Sequence, residues 1–219
     1  MIFPDFVYPK LWIRCDYWDK DIGQGIAIMI LKGPHIELKP LLLKERYKFF
    51  LMATESDSTP FWYGDLYGDT VPSYTIFKHE WPDHYFKDEE PFKGRCFGIY
   101  LGEELIGQVN YNEIDRVEGR SDMDIIIGQT CHHGKGYGTE AIRLLSDYLF
   151  EQMALRKCVI EVLSRNPKAF RAYQKANFVW AYTYVNDGIE WRVMELRRSV
   201  WNSKRSVYLE NLKKNHESP

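Results

Sequence analysis

Three glycines alternate with other residues in His133-Gly134-Lys135-Gly136-Tyr137-Gly138-Thr139-Glu140-Ala141. Without a Cβ at those positions, successive backbone N–H groups can converge on one point. A helix opening just beyond adds its own unpaired N–H groups and its positive dipole end. The chemistry that suits such a cradle is capture of a diphosphate. The flanks supply the setting: Met123-Asp124-Ile125-Ile126-Ile127-Gly128 predicts a strand before the loop. After it, Tyr137, Ala141, Leu144, Leu145, Tyr148 and Leu149 fall on one helical stripe, with Arg143, Asp147 and Glu151 off it. A Walker loop is excluded, because no Gly-Lys-Ser or Gly-Lys-Thr closes the run. A dinucleotide fingerprint should open a repeated strand-helix-strand domain with an acid about 20 residues on. Glu161 lies near that distance, but the loop comes too late in the chain. The alternative is a Gly-rich turn without a ligand.

A second motif, Asn166-Pro167-Lys168-Ala169-Phe170-Arg171-Ala172-Tyr173-Gln174-Lys175-Ala176-Asn177-Phe178, lies some 30 residues further on. With it the chain resembles the GCN5-related N-acetyltransferases, the GNAT superfamily. That family pairs a Gln/Arg-x-x-Gly-x-Gly/Ala loop with a later Asn-x-x-Ala-x-x-x-Tyr-x-Lys-x-Gly-Phe. Residues 123–178 carry the specific likeness, and 36–197 share the layout. His133 stands where the family has Gln or Arg, and Asn177 replaces a Gly that often needs a left-handed backbone, which Asn tolerates best after Gly. The resemblance implies binding of acetyl-CoA. Its pyrophosphate would sit on the N–H groups of Gly134, Lys135, Gly136, Tyr137, Gly138 and Thr139, with His133 at a position that mainly offers its backbone. Its acetyl-pantetheine would lie in a splay between two central strands, 123–128 and 157–163. There it would pair with the backbone near Ile127 and Gly128, and it would meet Asn166 and Ala169 from the following helix. No metal is implied.

The same resemblance makes Tyr173 the general acid for the leaving thiolate, since a phenol of pKa about 10 holds its proton at neutral pH. Read from the residues alone, Tyr173 is more readily a core aromatic of an amphipathic helix. Asp124 is a charge inside an apolar strand, which needs a reason. Aminoglycoside 6'-N-acetyltransferases carry an Asp at that spacing, as base or substrate anchor, so Asp124 is the expected base. The alternatives are a solvent-facing carboxylate paired with Arg120, or a water chain in its place. Asp122, Glu113 and Asp115 are weaker candidates. Cys131 beside His132 and His133 does not make a nucleophile, because sequence neighbours are not a catalytic pair.

Residues 55–95 hold ten aromatics, and nine carboxylates against four Lys or Arg. They fall where the family builds its acceptor wall. Trp62, Tyr63, Trp81, Asp122 and Asp124 are therefore the expected acceptor-side residues, with rings to stack on a sugar or amine and acids to hold a cation. This favours a cationic small-molecule amine of the aminoglycoside kind. The alternative for the aromatics is core and a dimer face. Two other functions stay open: an acetyltransferase of ribosomal-protein N-termini, and a non-catalytic CoA-binding module. Many family members are dimers, so a homodimer is compatible.

The elements that must position these residues follow from pattern. Residues 1–33 read as an N-terminal extension with a buried strand at 26–31. Residues 34–198 form the acetyltransferase domain and 199–219 a polar tail with a short helix near 207–214. Within the domain, Ile36 to Lys39 alternates as a strand, Leu41 to Ala53 predicts a helix, and 55–95 is loop with a helix near 74–81. Strands follow at 96–101, 105–111, 123–128 and 157–163, then a helix at 166–175 and a hairpin of 179–184 with 191–196. That order is α+β: one mixed sheet with helices on both faces, which the resemblance makes mostly antiparallel with a splayed central pair. The 219 residues carry a net charge of −2, so nothing global points to nucleic acid or an anionic membrane. No run approaches the roughly 20 apolar residues of a span, and four scattered cysteines suggest a reducing cytoplasm.

Overall fold

The computed structural model describes residues 12–19, 24–63, 71–87 and 89–204, with 12–19 and 24–28 described as backbone only. Its strands are β1 (Trp12–Asp19), β2 (Gln24–Lys32), β3 (Glu37–Pro40), β4 (Arg95–Leu101), β5 (Glu104–Tyr111), β6 (Arg120–Ile127), β7 (Lys157–Leu163), β8 (Val179–Asn186) and β9 (Ile189–Arg197). They form one sheet in the order β1-β2-β3-β4-β5-β6-β7-β9-β8. Every neighbouring pair is antiparallel except β6 with β7. The expected mixed, mostly antiparallel sheet is thus present, and part of the N-terminal extension adds the edge hairpin β1–β2. The expected helix at 207–214 lies outside the described residues. Among the described residues no helix is long and apolar enough to cross a membrane.

Helices cover both faces. On one side lie α4 (Tyr137–Glu151) and α5 (Pro167–Lys175); on the other, α1 (Arg46–Glu55), α2 (Thr59–Trp62) and α3 (Tyr74–Glu80). The predicted α4 stripe is buried: Ala141, Leu144, Leu145, Tyr148 and Leu149 pack on Phe97, Val109, Met123 and Ile160 of the sheet. Strand alternation sends the neighbours Cys96 and Ile126 to the opposite face, where a second core gathers Leu41, Phe49, Tyr63, Phe77, Trp81 and Phe86. The helix expected from Leu41 starts later. Pro40 and Leu42 hold extended backbone, the Glu45 carboxylate accepts from Leu42 N at 3.0 Å, and a 3₁₀ turn over Leu43–Glu45 precedes α1. The last hairpin closes in two residues, Asp187 and Gly188, both at positive φ as a right-twisted pair requires.

Helix α5 ends as the sequence allows. Asn177 sits at φ 71°, its N–H donates to Gln174 O at 2.9 Å, and Phe178 N donates to Tyr173 O at 3.0 Å. Those two bonds make a Schellman cap, with Phe178 buried against the main core. The cap fixes the helix turn that carries Tyr173. Asn177→Gly should therefore raise stability slightly, since it removes a Cβ from left-handed backbone, while Asn177→Ala, which keeps the Cβ and loses the polar side chain that makes Asn tolerated there, should lower it by up to about 1 kcal/mol. Urea denaturation of the three proteins tests this; equal midpoints for Ala and Gly would remove the cap's role.

Candidate active site

Strand β6 is paired along one edge only. With β5 the register runs unbroken, Gly107 opposite Ile127 through Tyr111 opposite Met123. It is extended by Gly128 N to Ile106 O at 3.0 Å and Asn112 N to Asp122 O at 2.8 Å. In an antiparallel ladder alternate residues face the partner. Residues 122, 124, 126 and 128 therefore bond to β5, and Ile125 and Ile127 turn their N–H groups the other way. There β7 pairs only from Arg120↔Lys157 to Met123↔Ile160. Beyond Met123 the two strands part, and the Ile125 and Ile127 N–H groups face the gap. This corrects the expectation for Gly128: its N–H, thought to reach an acyl oxygen, is engaged by Ile106. Of Ile127 and Gly128, the N–H that faces the gap is that of Ile127.

Two ionisable side chains approach the gap from opposite faces. Asp124 comes from the face of the second core, partly buried; Tyr173 comes from α5, buried, packed in the main core. The charge of Asp124 is felt at the Tyr173 phenol, and together with burial it pushes the phenol pKa well up, so the hydroxyl keeps its proton. Burial likewise raises the Asp124 pKa. Hydrogen bonds from Asn110 and Asn112 pull it back, and the nearby charges of Asp122 and Glu161 raise it again. Both amides donate to the same oxygen, Oδ2, at 3.1 Å.

The glycine loop joins this gap to α4. Gly134 and Gly136 lie at φ 74° and 93°, and a Cβ at either would meet nothing within 4 Å. Open space lies beside both, and only the backbone angle demands glycine. No side chain caps α4, whose N-cap is Gly136, so the N–H groups of Tyr137, Gly138 and Thr139 stay available in the first turn. Glu140 would oppose an anion there, but its carboxylate is drawn aside. It accepts from His35 N at 2.9 Å, Ile36 N at 3.1 Å and His35 Nδ1 at 2.9 Å. His133 donates from Nε2 to Ile127 O at 3.0 Å, and Ser58 Oγ donates to the same carbonyl at 2.5 Å. Lys135 is exposed beside the loop. Asn166 uses its Oδ1 as the N-cap of α5, accepting from Ala169 N at 3.1 Å, which leaves its Nδ2 donors for another partner.

The acceptor-side aromatics need correction. Tyr63 and Trp81 are core residues, 3% and 9% exposed. Trp81 lies edge-on to Phe49 at 4.8 Å and Trp62 stacks on Trp81 at 6.3 Å, so their faces are covered by one another. Tyr63 donates its hydroxyl to Glu80 at 2.9 Å. Asp122 points outward and pairs with Arg120 at 2.8 Å. Of the five expected residues Asp124 is the one that stands on β6 where the strands part. Sequence reading passed over Gln108, Asn110 and Asn112, although three amides at every second position of a strand was a visible signal. It also passed over Ser58, which nothing local marks.

Comparison with known proteins agrees with this geometry. The acetyltransferase (GNAT) domain family matches residues 36–179. A probable N-acetyltransferase of Bacillus subtilis is 34% identical over 101 residues, 45% of this chain and 54% of that protein. A spermidine N(1)-acetyltransferase of Escherichia coli is 28% identical over 143 residues, 65% of this chain and 72% of that one. The chain thus spans about half the length of the first relative. Among solved structures, spermidine N-acetyltransferase from Vibrio cholerae with CoA and spermine superposes at a TM-score of 0.63 (21% identity, 77% of this chain, 99% of that one). Aminoglycoside acetyltransferase AAC(6')-Ib with coenzyme A and kanamycin also gives 0.63 (19% identity, 78% and 99%).

The Asp124 environment has a consequence for stability. A carboxyl whose pKa is higher folded than unfolded binds more protons in the native state, so stability falls as pH rises through that window. Ionised Asp124 therefore destabilises the fold at pH 7. Asp124→Asn should raise Tm at pH 7 by a few degrees, with the gain vanishing below the ordinary Asp pKa of about 3.9. Thermal melts at pH 7 and pH 3.5 check it; an equal or larger gain at pH 3.5 would contradict the assignment.

Proposed function

The chain belongs to the acetyltransferase (GNAT) domain family, and on that premise we propose that it transfers the acetyl group of acetyl-CoA to a primary amine of a cationic small molecule, a polyamine or an aminoglycoside-like sugar. The observation that carries this reading is the parting of β6 from β7 beyond Met123, with Asp124 on one face of the sheet there and Tyr173 buried on the other, near enough for the charge of Asp124 to be felt at the phenol.

The residues present fit the cofactor. Gly134 and Gly136 leave open space at the loop, and the first turn of α4 offers N–H groups that no side chain caps. A pyrophosphate would rest there, with Lys135 adding positive charge. The Ile125 N–H and the Nδ2 of Asn166 would pair with the amides of the pantetheine arm. Acetyl-CoA supplies the activated thioester. Toward it, the Ile127 N–H would stand as a preorganised donor where an acyl oxygen gathers charge. The His133 and Ser58 bonds to the Ile127 carbonyl hold the next peptide, Ile127–Gly128, and so fix the course of the strand just after that N–H. Asp124 accepts the proton that the substrate ammonium must lose before its nitrogen can attack. Tyr173 gives its hydroxyl proton to the departing sulfur. The acids Asp122 and Glu161, whose charge is felt at Asp124, favour a cationic acceptor over a neutral one.

Release of CoA from acetyl-CoA, measured with spermidine, spermine, kanamycin-like aminoglycosides and Ser- or Ala-starting peptides, tests the class. Turnover of a polyamine or aminoglycoside is expected; turnover of peptides alone would transfer the reading to protein N-termini, and CoA binding without turnover would leave a binding module. Tyr173→Phe should lower kcat by about 100-fold, the ordinary worth of a general acid, at unchanged CoA affinity by calorimetry. Weakened CoA binding instead would make Tyr173 structural. Gly136→Val should abolish CoA binding, since valine is strained at φ 93° and fills the open cradle.

A further inference from the structure

We propose that Asn110 and Asn112 are positioning residues that keep Asp124 ionised and present one defined oxygen, Oδ1, to the incoming amine. The inference rests on Asp124 being the base of the acetyl transfer proposed above.

Gln108 and Asn110 of β5 and Asn112 just past its end, where the ladder continues through Asn112 N to Asp122 O, alternate and so share one face, that of Asp124. Gln108 and Asn110 are fully buried, at a place in the sheet where apolar side chains would pack at less cost. Each amide has one workable orientation. Gln108 Nε2 donates to Asn110 Oδ1 at 2.9 Å, so Asn110 turns its Nδ2 to Asp124 Oδ2 and, at 2.8 Å, to Asn112 Oδ1. Tyr85 donates its hydroxyl to Asn112 Oδ1 at 3.0 Å, so Asn112 also turns its Nδ2 to Asp124 Oδ2. Flipping either amide would set a carbonyl oxygen against the carboxylate. With two N–H donors on Oδ2, a proton on that oxygen would meet donors only. When the ammonium N–H bond breaks, the new O–H bond therefore forms on Oδ1, and the proton leaves from there to solvent.

The surrounding charges make the amides necessary. Asp122 on the same strand and Glu161 on β7 both disfavour a third negative charge. Tyr173 on α5, and Tyr85 and Cys96 behind the strand, are kept protonated, and so neutral, by burial, and the Arg120 guanidinium on β6 is paired with Asp122 at 2.8 Å. Asn110 and Asn112 are the groups that act in favour of the ionised form.

The test is the titration of the Asp124 carboxyl carbon by NMR in protein labelled with ¹³C-aspartate, its signal identified by its loss in Asp124→Asn, beside kcat/KM from pH 5.5 to 9.5 with spermidine. Asn112 is only partly buried, so Asn112→Ala should fold; Tyr85→Phe leaves both amides in place but frees Asn112 to flip. In Asn112→Ala the Asp124 titration and the acid limb of kcat/KM should move together to higher pH, with about a ten-fold loss at pH 6, the size expected for one hydrogen bond to a charged group, shrinking to about two-fold at pH 9. Tyr85→Phe should move both in the same direction by less. An unchanged Asp124 titration, or a loss equal at every pH, would overturn the inference while leaving the acetyl transfer intact. An acid limb that survives in Asp124→Asn would overturn the base assignment itself, and the positioning role with it.

Discussion

A strand inside a sheet ordinarily engages the hydrogen-bonding groups on both its edges, and β6 engages one edge in full and the other only as far as Met123. The groups past that point need other partners, because an orphaned peptide group in a protein interior costs roughly 1–3 kcal/mol. The Ile127 carbonyl finds two, Ser58 and His133, drawn from the segment after α1 and from the glycine loop. The same two residues tie the acceptor side of the site to its cofactor side. Opposite, α5 brings Tyr173 toward the gap, and Thr139 Oγ1 fixes α4 to α5 through Ala172 O at 3.3 Å. One interrupted ladder thus determines where Asp124, Tyr173, the Ile127 N–H and the glycine loop stand relative to one another.

Such a gap places a carboxylate where folding alone would not. Asp124 gains nothing from its neighbours Asp122 and Glu161, and burial disfavours its charge. Two amides at 3.1 Å offset part of this, and each then needs a partner of its own, which is why the polar network runs on to Gln108 and Tyr85. A half-satisfied network is the expensive kind, and here one atom, Gln108 Oε1, is left without a protein partner among the described residues. An apolar β5 would be the more stable solution. Its absence is understandable if the chain gives up stability to keep one carboxylate ionised beside a phenol that must not be.

Much of this was legible in the sequence where the signal is local. The glycine run, the α4 stripe, the Pro167 start of α5 and the left-handed Asn177 each follow from the conformational limits of a few adjacent residues, and each stands in the structure where pattern put it. What failed depends on partners far along the chain. Whether Gly128 or Ile127 faces the gap is a matter of register against β5, since a shift of one residue exchanges the two. The Glu140 carboxylate looks like an obstacle to an anion until His35, 105 residues away, is seen to hold it. The aromatics of 55–95 could be wall or core by composition alone. Only the fold, by laying α3 over α1, puts Tyr63, Phe77, Trp81 and Phe86 in the core.

That decision gives the aromatic segment a different part in the site. Phe77, Trp81 and Phe86 close over β4, β5 and Ile126 of β6, on the face that carries the amides and Asp124. Tyr85, at the edge of that cluster and 5.2 Å from Trp81, is the residue that sets the orientation of Asn112. Cys96 of β4 lies in the same cluster and receives a weak contact from Gln108 at 3.5 Å. If this face were open to water, the amides would be hydrated, free to turn, and poor at holding one oxygen of Asp124 against two neighbouring acids. The rings do not need to touch a substrate to matter for its chemistry. By excluding water behind the base, they convert three flexible amides into a fixed array of donors, and the strength of that array then depends on the packing of α1 and α3 as much as on any residue in the gap.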